Sequence, residues 1–224
     1  MKIVVTAGPT REHLDPVRFL SNPSTGKMGF AIAAEAVRRG HEVVLIAGPV
    51  ALKTPKGVKR VDVVSAREML QESLRSLRGS RGSRSSRGRG RTVFISTAAV
   101  ADWRPAKCAA KKLKKSQMSG TLKLVRNPDI LKTINQTIKQ SDNQSIHLVG
   151  FAAETNDVLK EAARKCREKG LSFIVANDVS EKGCGFGTDT NRVTFVFPDG
   201  TQKKFPLMTK RMVAKRVLDE VSGL

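Results

Sequence analysis

Residues 21–29 carry the side chains and glycines that an anion-binding loop needs. They read Ser-Asn-Pro-Ser-Thr-Gly-Lys-Met-Gly and lie between a strand-like run, 2–7, and an apolar helical run, 30–37. Backbone N–H groups can approach phosphate oxygens where side chains are small, and a helix start adds partial positive charge. A Walker A loop would need glycine at Ser21 and a hydroxyl residue at Met28. The segment therefore predicts a phosphate loop that is not the loop of a P-loop NTPase.

The elements that position this loop alternate between strand and helix. Because near-continuous apolar strands alternate with helices, we predict an α/β, Rossmann-like, doubly wound and mainly parallel sheet with a C-terminal β-hairpin extension, all in one domain, 1–224. The predicted strands are 2–7, 42–47, 61–64, 92–96, 121–125, 146–150 and 172–176, the hairpin is 192–197 with 201–205, and the helices are 27–39, 66–77, 128–140, 156–169 and 208–221. Ligands bind beyond the carboxyl ends of such strands, which selects the loops 6–11, 98–104, 151–156 and 177–180.

The charge of the chain is strongly positive. The formal net charge is +21, and six of the arginines lie in 78–91, a segment without acidic or apolar residues. Such a segment cannot bury enough surface to order itself, so we predict a disordered insertion. Removing it leaves 21 − 6 = +15, so the folded part is also basic and should attract polyanions. A second predicted mobile loop, 104–119, is rich in lysine.

Other function classes are disfavoured by what the sequence lacks. A nicotinamide-dependent oxidoreductase would need G-x-G-x-x-G after the first strand, and residues 6–12 do not supply it. A nucleic-acid-binding protein using the arginine segment is the main alternative, but tyrosine is absent and aromatic residues make up 4%, so we expect only weak, non-specific binding. No apolar run reaches the ~20 residues of a membrane span. Three scattered cysteines and no signal peptide favour the cytoplasm.

Six segments, in this order, resemble the phosphopantothenate–cysteine ligase (phosphopantothenoylcysteine synthetase) family of coenzyme A biosynthesis: 6–12, 21–29, 98–104 with 111–115, 127–130, 149–155 and 176–180. The resemblance runs from residue 1 to about residue 221. It implies that CTP activates the phosphopantothenate carboxylate as an acyl-cytidylate with release of pyrophosphate, and that the cysteine amine then displaces CMP. It further implies Mg²⁺ with the nucleotide, a homodimer whose interface includes the 192–205 hairpin, and a free-standing ligase of the bacterial type without the decarboxylase domain.

The resemblance also implies roles for individual residues. Asn22 and Lys112 are implied to act in catalysis, Asn22 by holding the acyl-nucleotide intermediate and Lys112 from a loop that closes over the nucleotide. Phosphopantothenate is implied to contact Arg18, Asn22 and Ala99. The nucleotide is implied to contact Lys112 and the residues Ser96, Thr97, Ala98, Asp102, Pro128, Asp129, Ile130, Leu131, Phe151, Lys165 and Lys169.

Simpler interpretations of these residues stay open at this point. Asn22 also suits a turn before Pro23, Phe151 alone would be a core residue, and Lys165 and Lys169 alone would be surface charges. The family has an acidic residue where Lys111 stands, so Lys114 is the alternative to Lys112. No carboxylate cluster predicts a metal site, and Glu154 and Asp178 are at most outer ligands of the magnesium. We also expect a change at Lys27 to matter less than one at Asn22.

Overall fold

The computed structural model describes residues 1–78, 90–114, 116, 120–141, 145–181 and 183–224. The predicted arginine-rich insertion, 78–91, lies outside the described residues except at its two ends. Parts of the predicted 104–119 loop lie outside them as well. In the described part of the chain, no helix has the length and apolar character needed to cross a membrane.

The chain forms one large sheet, three two-stranded ladders and five described helices. The strands of the large sheet are β1 Lys2–Ala7, β4 Glu42–Ala47, β5 Lys59–Asp62, β6 Thr92–Ser96, β9 Ile146–Glu154, β10 Phe173–Asp178, β12 Thr194–Val196 and β13 Gln202–Lys204. The ladders are β2 Arg11–His13 with β3 Phe19–Ser21, β7 Trp103–Pro105 with β8 Leu124–Arg126, and β11 Thr190–Asn191 with β14 Met208–Thr209. The helices are α1 Lys27–Arg38, α2 Ala66–Arg78, α3 Ile130–Gln140, α4 Val158–Glu168 and α5 Lys210–Ser222.

The large sheet has the order β13-β12-β10-β9-β6-β1-β4-β5. The six strands from β10 to β5 are parallel to one another. The β12–β13 hairpin adds two antiparallel strands at one edge. This arrangement confirms the predicted fold class, including the C-terminal hairpin.

Helices cover both faces of the sheet. Successive side chains of a strand point to opposite faces, so Ile3 and Val5 of β1 pack with α1 and α5, whereas Val4 packs with the apolar residues of α2, α3 and α4. All three of these valine and isoleucine side chains are fully buried. Burial on both faces is the reason that the parallel strands read as nearly continuous apolar runs.

The structure corrects several predicted boundaries. The predicted loop 151–156 is wrong, because β9 continues to Glu154. Its last residues pair with β10, which itself continues to Asp178. Helix α3 begins at Ile130 and not at Pro128, because the Asp129 side chain caps it. Strand β5 lies two residues earlier than predicted and β8 begins three residues later. The ladders β2–β3 and β11–β14 and the strand β7 have only two or three residues per strand, too few for an alternating pattern to predict.

Candidate active site

A cavity of about 750 Å³ opens at the carboxyl ends of the parallel strands. This volume lies within the range of pockets that bind nucleotide-sized ligands. The cavity is lined by the starts of α1 and α3 and by residues at and beyond the ends of β6, β9 and β10. The predicted site residues that line it are Asn22, Ser96, Thr97, Ala98, Ala99, Asp102, Pro128, Asp129, Ile130, Leu131, Phe151 and Lys169.

Helix α1 begins in the wall of this cavity without a side-chain cap. Its N-cap is Gly26, whose φ of 78° is a left-handed value that glycine adopts at little cost. At Gly29, a Cβ atom would lie 2.5 Å from both the Ala7 Cβ and the Thr97 Oγ1. The absence of a side chain at Gly29 therefore lets the helix start lie directly against β1 and the end of β6. Residues 26–29, where the helix begins, line the cavity, and the N–H groups of a first helical turn have no partner within the helix.

Asn22 joins the α1 loop to the segment that follows β6. Its Nδ2 donates to the backbone oxygens of Ala99 and Val100, at 3.2 Å each. The same segment is held on β1, because Ala99 N donates to Gly8 O at 2.9 Å and Thr97 Oγ1 to Thr6 O at 2.7 Å. Both protons of the Asn22 amide are thus used by backbone, so the side chain is more than a turn residue.

The start of α3 differs, because a carboxylate of the protein occupies it. Asp129 accepts from Lys132 N at 3.0 Å and pairs with Lys169 Nζ at 2.8 Å. Burial alone would raise the pKa of Asp129, but the Lys169 ammonium and the Lys132 N–H hold it below its ordinary value. Asn127 joins this start to the strand end, since its Nδ2 donates to Ala101 O at 2.8 Å.

Three predicted site residues are not among the described residues that line the cavity: Arg18, Lys112 and Lys165. The Lys165 ammonium pairs with Glu154, whereas Lys169, four residues later, reaches the cavity wall. Arg18 pairs with Asp15 at 2.6 Å. Lys112 is exposed, and the backbone of the next residue, Leu113, is held by that Arg18–Asp15 pair. The structure therefore brings twelve of the fifteen predicted residues together.

The comparisons with known proteins agree with this geometry. Residues 1–224 match the family described as the DNA/pantothenate metabolism flavoprotein C-terminal domain. The chain belongs to this family. The resemblance drawn from the six sequence segments is thereby confirmed at the level of the family.

Individual members of the family are similar over nearly the whole chain. The coenzyme A biosynthesis bifunctional proteins CoaBC of Bacillus subtilis and Escherichia coli are 43% and 45% identical to it, each across 99% of this chain. The chain spans about half, 51%, of the length of each of these relatives. A crystal structure of the C-terminal domain of a CoaBC protein is 40% identical and superposes with a TM-score of 0.77, covering 98% of this chain and 93% of that structure.

Three buried polar side chains in the cavity wall were not predicted as individual site residues: Asn177, Asn191 and Lys210. Asn177 Nδ2 donates to Asn191 Oδ1 at 3.2 Å. Lys210 Nζ donates to the backbone oxygens of Gly185 and Thr188, at 3.1 and 2.7 Å. Burial, with a further contribution from Lys27, lowers the pKa of Lys210. Asn177 alone had a signal in the sequence, since it begins the loop 177–180 that follows the predicted strand 172–176.

Lys27, the lysine of the α1 loop, is directed at the wall of the cavity. Its Nζ donates to Asp189 Oδ1 at 2.7 Å and to Gly187 O at 2.8 Å. Together with Lys210 it therefore holds the glycine-rich segment 185–189 against the starts of α1 and α5. This contact gives Lys27 a positioning function that does not require a ligand.

The described residues of this family member contain no group of three or more side chains suited to hold a metal ion. Among the described residues that line the cavity, the carboxylates are Asp102 and Asp129. Asp129 is engaged by Lys169, as described above. Glu154 and Asp178, considered from the sequence as outer ligands, bond to Lys165 and Ser180.

Proposed function

We propose that this chain is a phosphopantothenate–cysteine ligase of coenzyme A biosynthesis that uses CTP. The observation that carries the proposal is the cavity, which is lined by residues from five of the six segments that resemble this family. The names of the similar proteins, which are coenzyme A biosynthesis proteins, support it.

In the proposed first step, a carboxylate oxygen of phosphopantothenate attacks the α-phosphorus of CTP, and the bond to the leaving pyrophosphate breaks. Both reactants are anions, so the site must position them and compensate their charge. The uncapped start of α1 is suited to this, because residues 26–29 line the cavity and a helix start carries partial positive charge. Asn22 fixes this loop against residues 99 and 100 and so sets the distance between the two walls.

In the proposed second step, the amine of cysteine attacks the acyl carbon, CMP leaves, and the amine loses a proton as the amide forms. Neither step needs a nucleophile from the protein. Lys112 is proposed to contact the phosphates and the intermediate. Because Lys112 lies outside the cavity in this structure, that contact requires its segment to move from the position held by Asp15 and Arg18.

Further nucleotide contacts are proposed at the rim of the cavity. Backbone groups of residues 96–98 would bind the nucleotide, the Asp102 carboxylate would accept from a ribose hydroxyl, and Phe151 would contact the base. Phe151 is half-buried and also packs on the core, so its ring is held in place before a ligand binds. Lys169 is proposed to face the nucleotide, whereas the Lys165–Glu154 pair would have to open first.

Magnesium is proposed to accompany the triphosphate. Phosphate oxygens and water would supply most of its ligands. The ion is proposed to arrive bound to the nucleotide, because the described residues include no group of three or more side chains that could hold a metal ion. When bound, the ion would neutralise part of the triphosphate charge.

The assembly is proposed to be a homodimer, with the 192–205 hairpin as an interface element. Strand β13 forms the edge of the sheet, and its three residues are exposed. Sedimentation equilibrium of the purified chain tests this, and a concentration-independent monomer mass would contradict it.

A pyrophosphate-release assay tests the proposed activity. Purified chain with phosphopantothenate, cysteine, Mg²⁺ and CTP should release pyrophosphate, and omission of phosphopantothenate should stop the release. The same assay with ATP in place of CTP tests the choice of nucleotide, which depends on backbone contacts to the base. Release that is faster with ATP would overturn the CTP assignment and leave the ligase assignment intact.

A further inference from the structure

The turn at residues 14–18 contains a buried carboxylate that binds donors from two parts of the chain. The Asp15 side chain has no exposed surface. Its Oδ1 accepts from the backbone N–H groups of Val17 and Arg18, at 2.9 Å each. Its Oδ2 accepts from the Arg18 guanidinium, with Nε at 3.0 Å and Nη2 at 2.6 Å. A buried carboxylate is costly unless it is paired and hydrogen-bonded, and this one is both.

The same pair of residues holds the segment that carries Lys112. Leu113 N donates to Asp15 Oδ2 at 3.2 Å, and Arg18 Nη2 donates to Leu113 O at 2.9 Å. A third backbone bond, from Ala109 N to Leu14 O at 2.8 Å, fixes the segment a few residues earlier. Both backbone groups of the residue next to Lys112 are therefore bound by residues almost a hundred positions away.

This cluster connects Arg18 and Lys112, two of the three cationic site residues that are not among the described residues lining the cavity. The Arg18 side chain is 38% exposed, so a phosphate can reach its guanidinium. A dianionic phosphate is a stronger acceptor than a backbone oxygen and would compete with Leu113 O for the Arg18 N–H groups. Binding at Arg18 would then weaken one of the two bonds that hold the Leu113 backbone.

We propose that Asp15 is a positioning residue that couples the Arg18 guanidinium to the Lys112 segment, so that a phosphate bound at Arg18 changes where Lys112 is held. The inference rests on the proposed function, in which phosphopantothenate supplies that phosphate. Asp15 acts only through Arg18 and Leu113. Since Arg18 holds the pKa of Asp15 well below its ordinary value, the carboxylate is charged at neutral pH.

A double-mutant cycle tests the coupling. Asp15→Asn should lower kcat/KM for phosphopantothenate about tenfold, the loss expected for one charged hydrogen-bond network, with KM for CTP unchanged. In the Lys112→Gln background, Asp15→Asn should lower kcat/KM for phosphopantothenate less than about twofold, because the two residues act in one chain of contacts. Losses that multiply in the double mutant, or an equal rise in KM for CTP, would overturn the inference. Asp62→Asn is the matched control, since it removes the carboxylate of the Arg60–Asp62 pair outside the cavity, and it should change neither constant.

Hydrogen exchange of the wild-type chain gives a second test that needs no variant to fold. Adding phosphopantothenate alone should change the exchange rate of the amides in 109–114, and an unchanged rate at saturating ligand would overturn the coupling. The two proposals fail differently in these experiments. A wild-type chain that releases no pyrophosphate contradicts the ligase proposal and this inference with it, whereas an active wild type with multiplying losses contradicts the coupling alone.

Discussion

Two helix starts face the cavity, and they differ in charge. Helix α1 begins at Gly26 with no side-chain cap and no acidic residue in its first turn. Helix α3 begins at Asp129, whose carboxylate caps the helix and pairs with Lys169. An anionic ligand would therefore find unpaired N–H groups at α1, but a carboxylate already in place at α3.

From this difference we propose separate functions for the two helix starts. We expected residues 21–29 to form a phosphate loop and residues 128–131 to contact the nucleotide, and residues of both segments line the cavity. Because Asp129 already satisfies the start of α3, we now expect α1 to receive the phosphates. The α3 start would instead position neutral groups and Lys169 at the rim.

The largest expected effect concerns Asn22, which holds the α1 loop in place. Asn22→Asp replaces the Nδ2 that donates to two carbonyl oxygens by a carboxylate oxygen that repels them. Turnover should fall about 100-fold, comparable to the loss of a donor in an oxyanion site. Steady-state pyrophosphate release measures this, and a loss below threefold would show that the junction does not matter. Lys27→Met is the control, and its loss should be the smaller of the two.

The next effect tests the close approach of α1 to the sheet. Gly29→Ala places a Cβ within 2.5 Å of Ala7 and Thr97 and should cost about 1–3 kcal/mol of stability, as overpacking does. Gly40→Ala, beyond the other end of α1, is the comparison: unlike Gly29, Gly40 has a positive φ, but a Cβ there meets no atom within 4 Å, so its cost comes from the backbone and not from overpacking. Urea unfolding compares the two. Nucleotide binding should be impaired only in Gly29→Ala, and equal impairment in both would contradict the separation.

A charge reversal at the start of α1 makes it resemble α3. Lys27→Glu places an acid in the first turn, which favours the helix but opposes a phosphate, so KM for CTP should rise about tenfold. Both substitutions remove the ion pair of Lys27 with Asp189, but Lys27→Met adds no negative charge, so it measures the loss of that ion pair alone. The rise in Lys27→Met should stay below about threefold. If the two variants had the same KM, the α1 start would not be the phosphate site.

The smallest effect concerns the cap of α3 and its dependence on pH. Asp129→Ala should lower the free energy of unfolding by about 1 kcal/mol through the lost cap. Asp129→Asn keeps the cap and loses the ion pair with Lys169. Because the pKa of Asp129 is lowered on folding, its ion pair stabilises the fold above the ordinary value of 3.8. The stability gap between the wild type and Asp129→Asn should therefore close as the pH falls below that value. A gap that widened in acid would contradict the assignment.

The fold was predictable because its main signals are local. The parallel strands are apolar throughout, and each predicted helix has an apolar stripe or a glycine stop, so the order and type of the large elements could be derived from the sequence. The ends of β9 and β10 could not be derived in this way. Both strands are extended by the pairing of residues 151–154 with residues 175–178, which are distant in sequence. Short ladders such as β2–β3 depend on contacts that no local pattern contains.

The candidate site was predictable to the same extent and for the same reason. Asn22 and residues 96–102 follow strands or precede helices, so topology places them together. Asn191 and Lys210 lie far along the chain. Asn191 is held at the cavity by Asn177, and Lys210 by the turn at residues 185–189. Asp15 was not predicted as a site residue, because nothing in the sequence indicates that it meets Leu113.

Direct detection of the product tests the central claim. The purified chain is incubated with phosphopantothenate, cysteine, Mg²⁺ and CTP, and the mixture is followed by mass spectrometry. The account predicts phosphopantothenoylcysteine, CMP and pyrophosphate in equal amounts, and acyl-cytidylate with pyrophosphate when cysteine is omitted. Consumption of CTP without any acyl-cytidylate or cysteine amide, or no consumption at all by a folded chain, would contradict it.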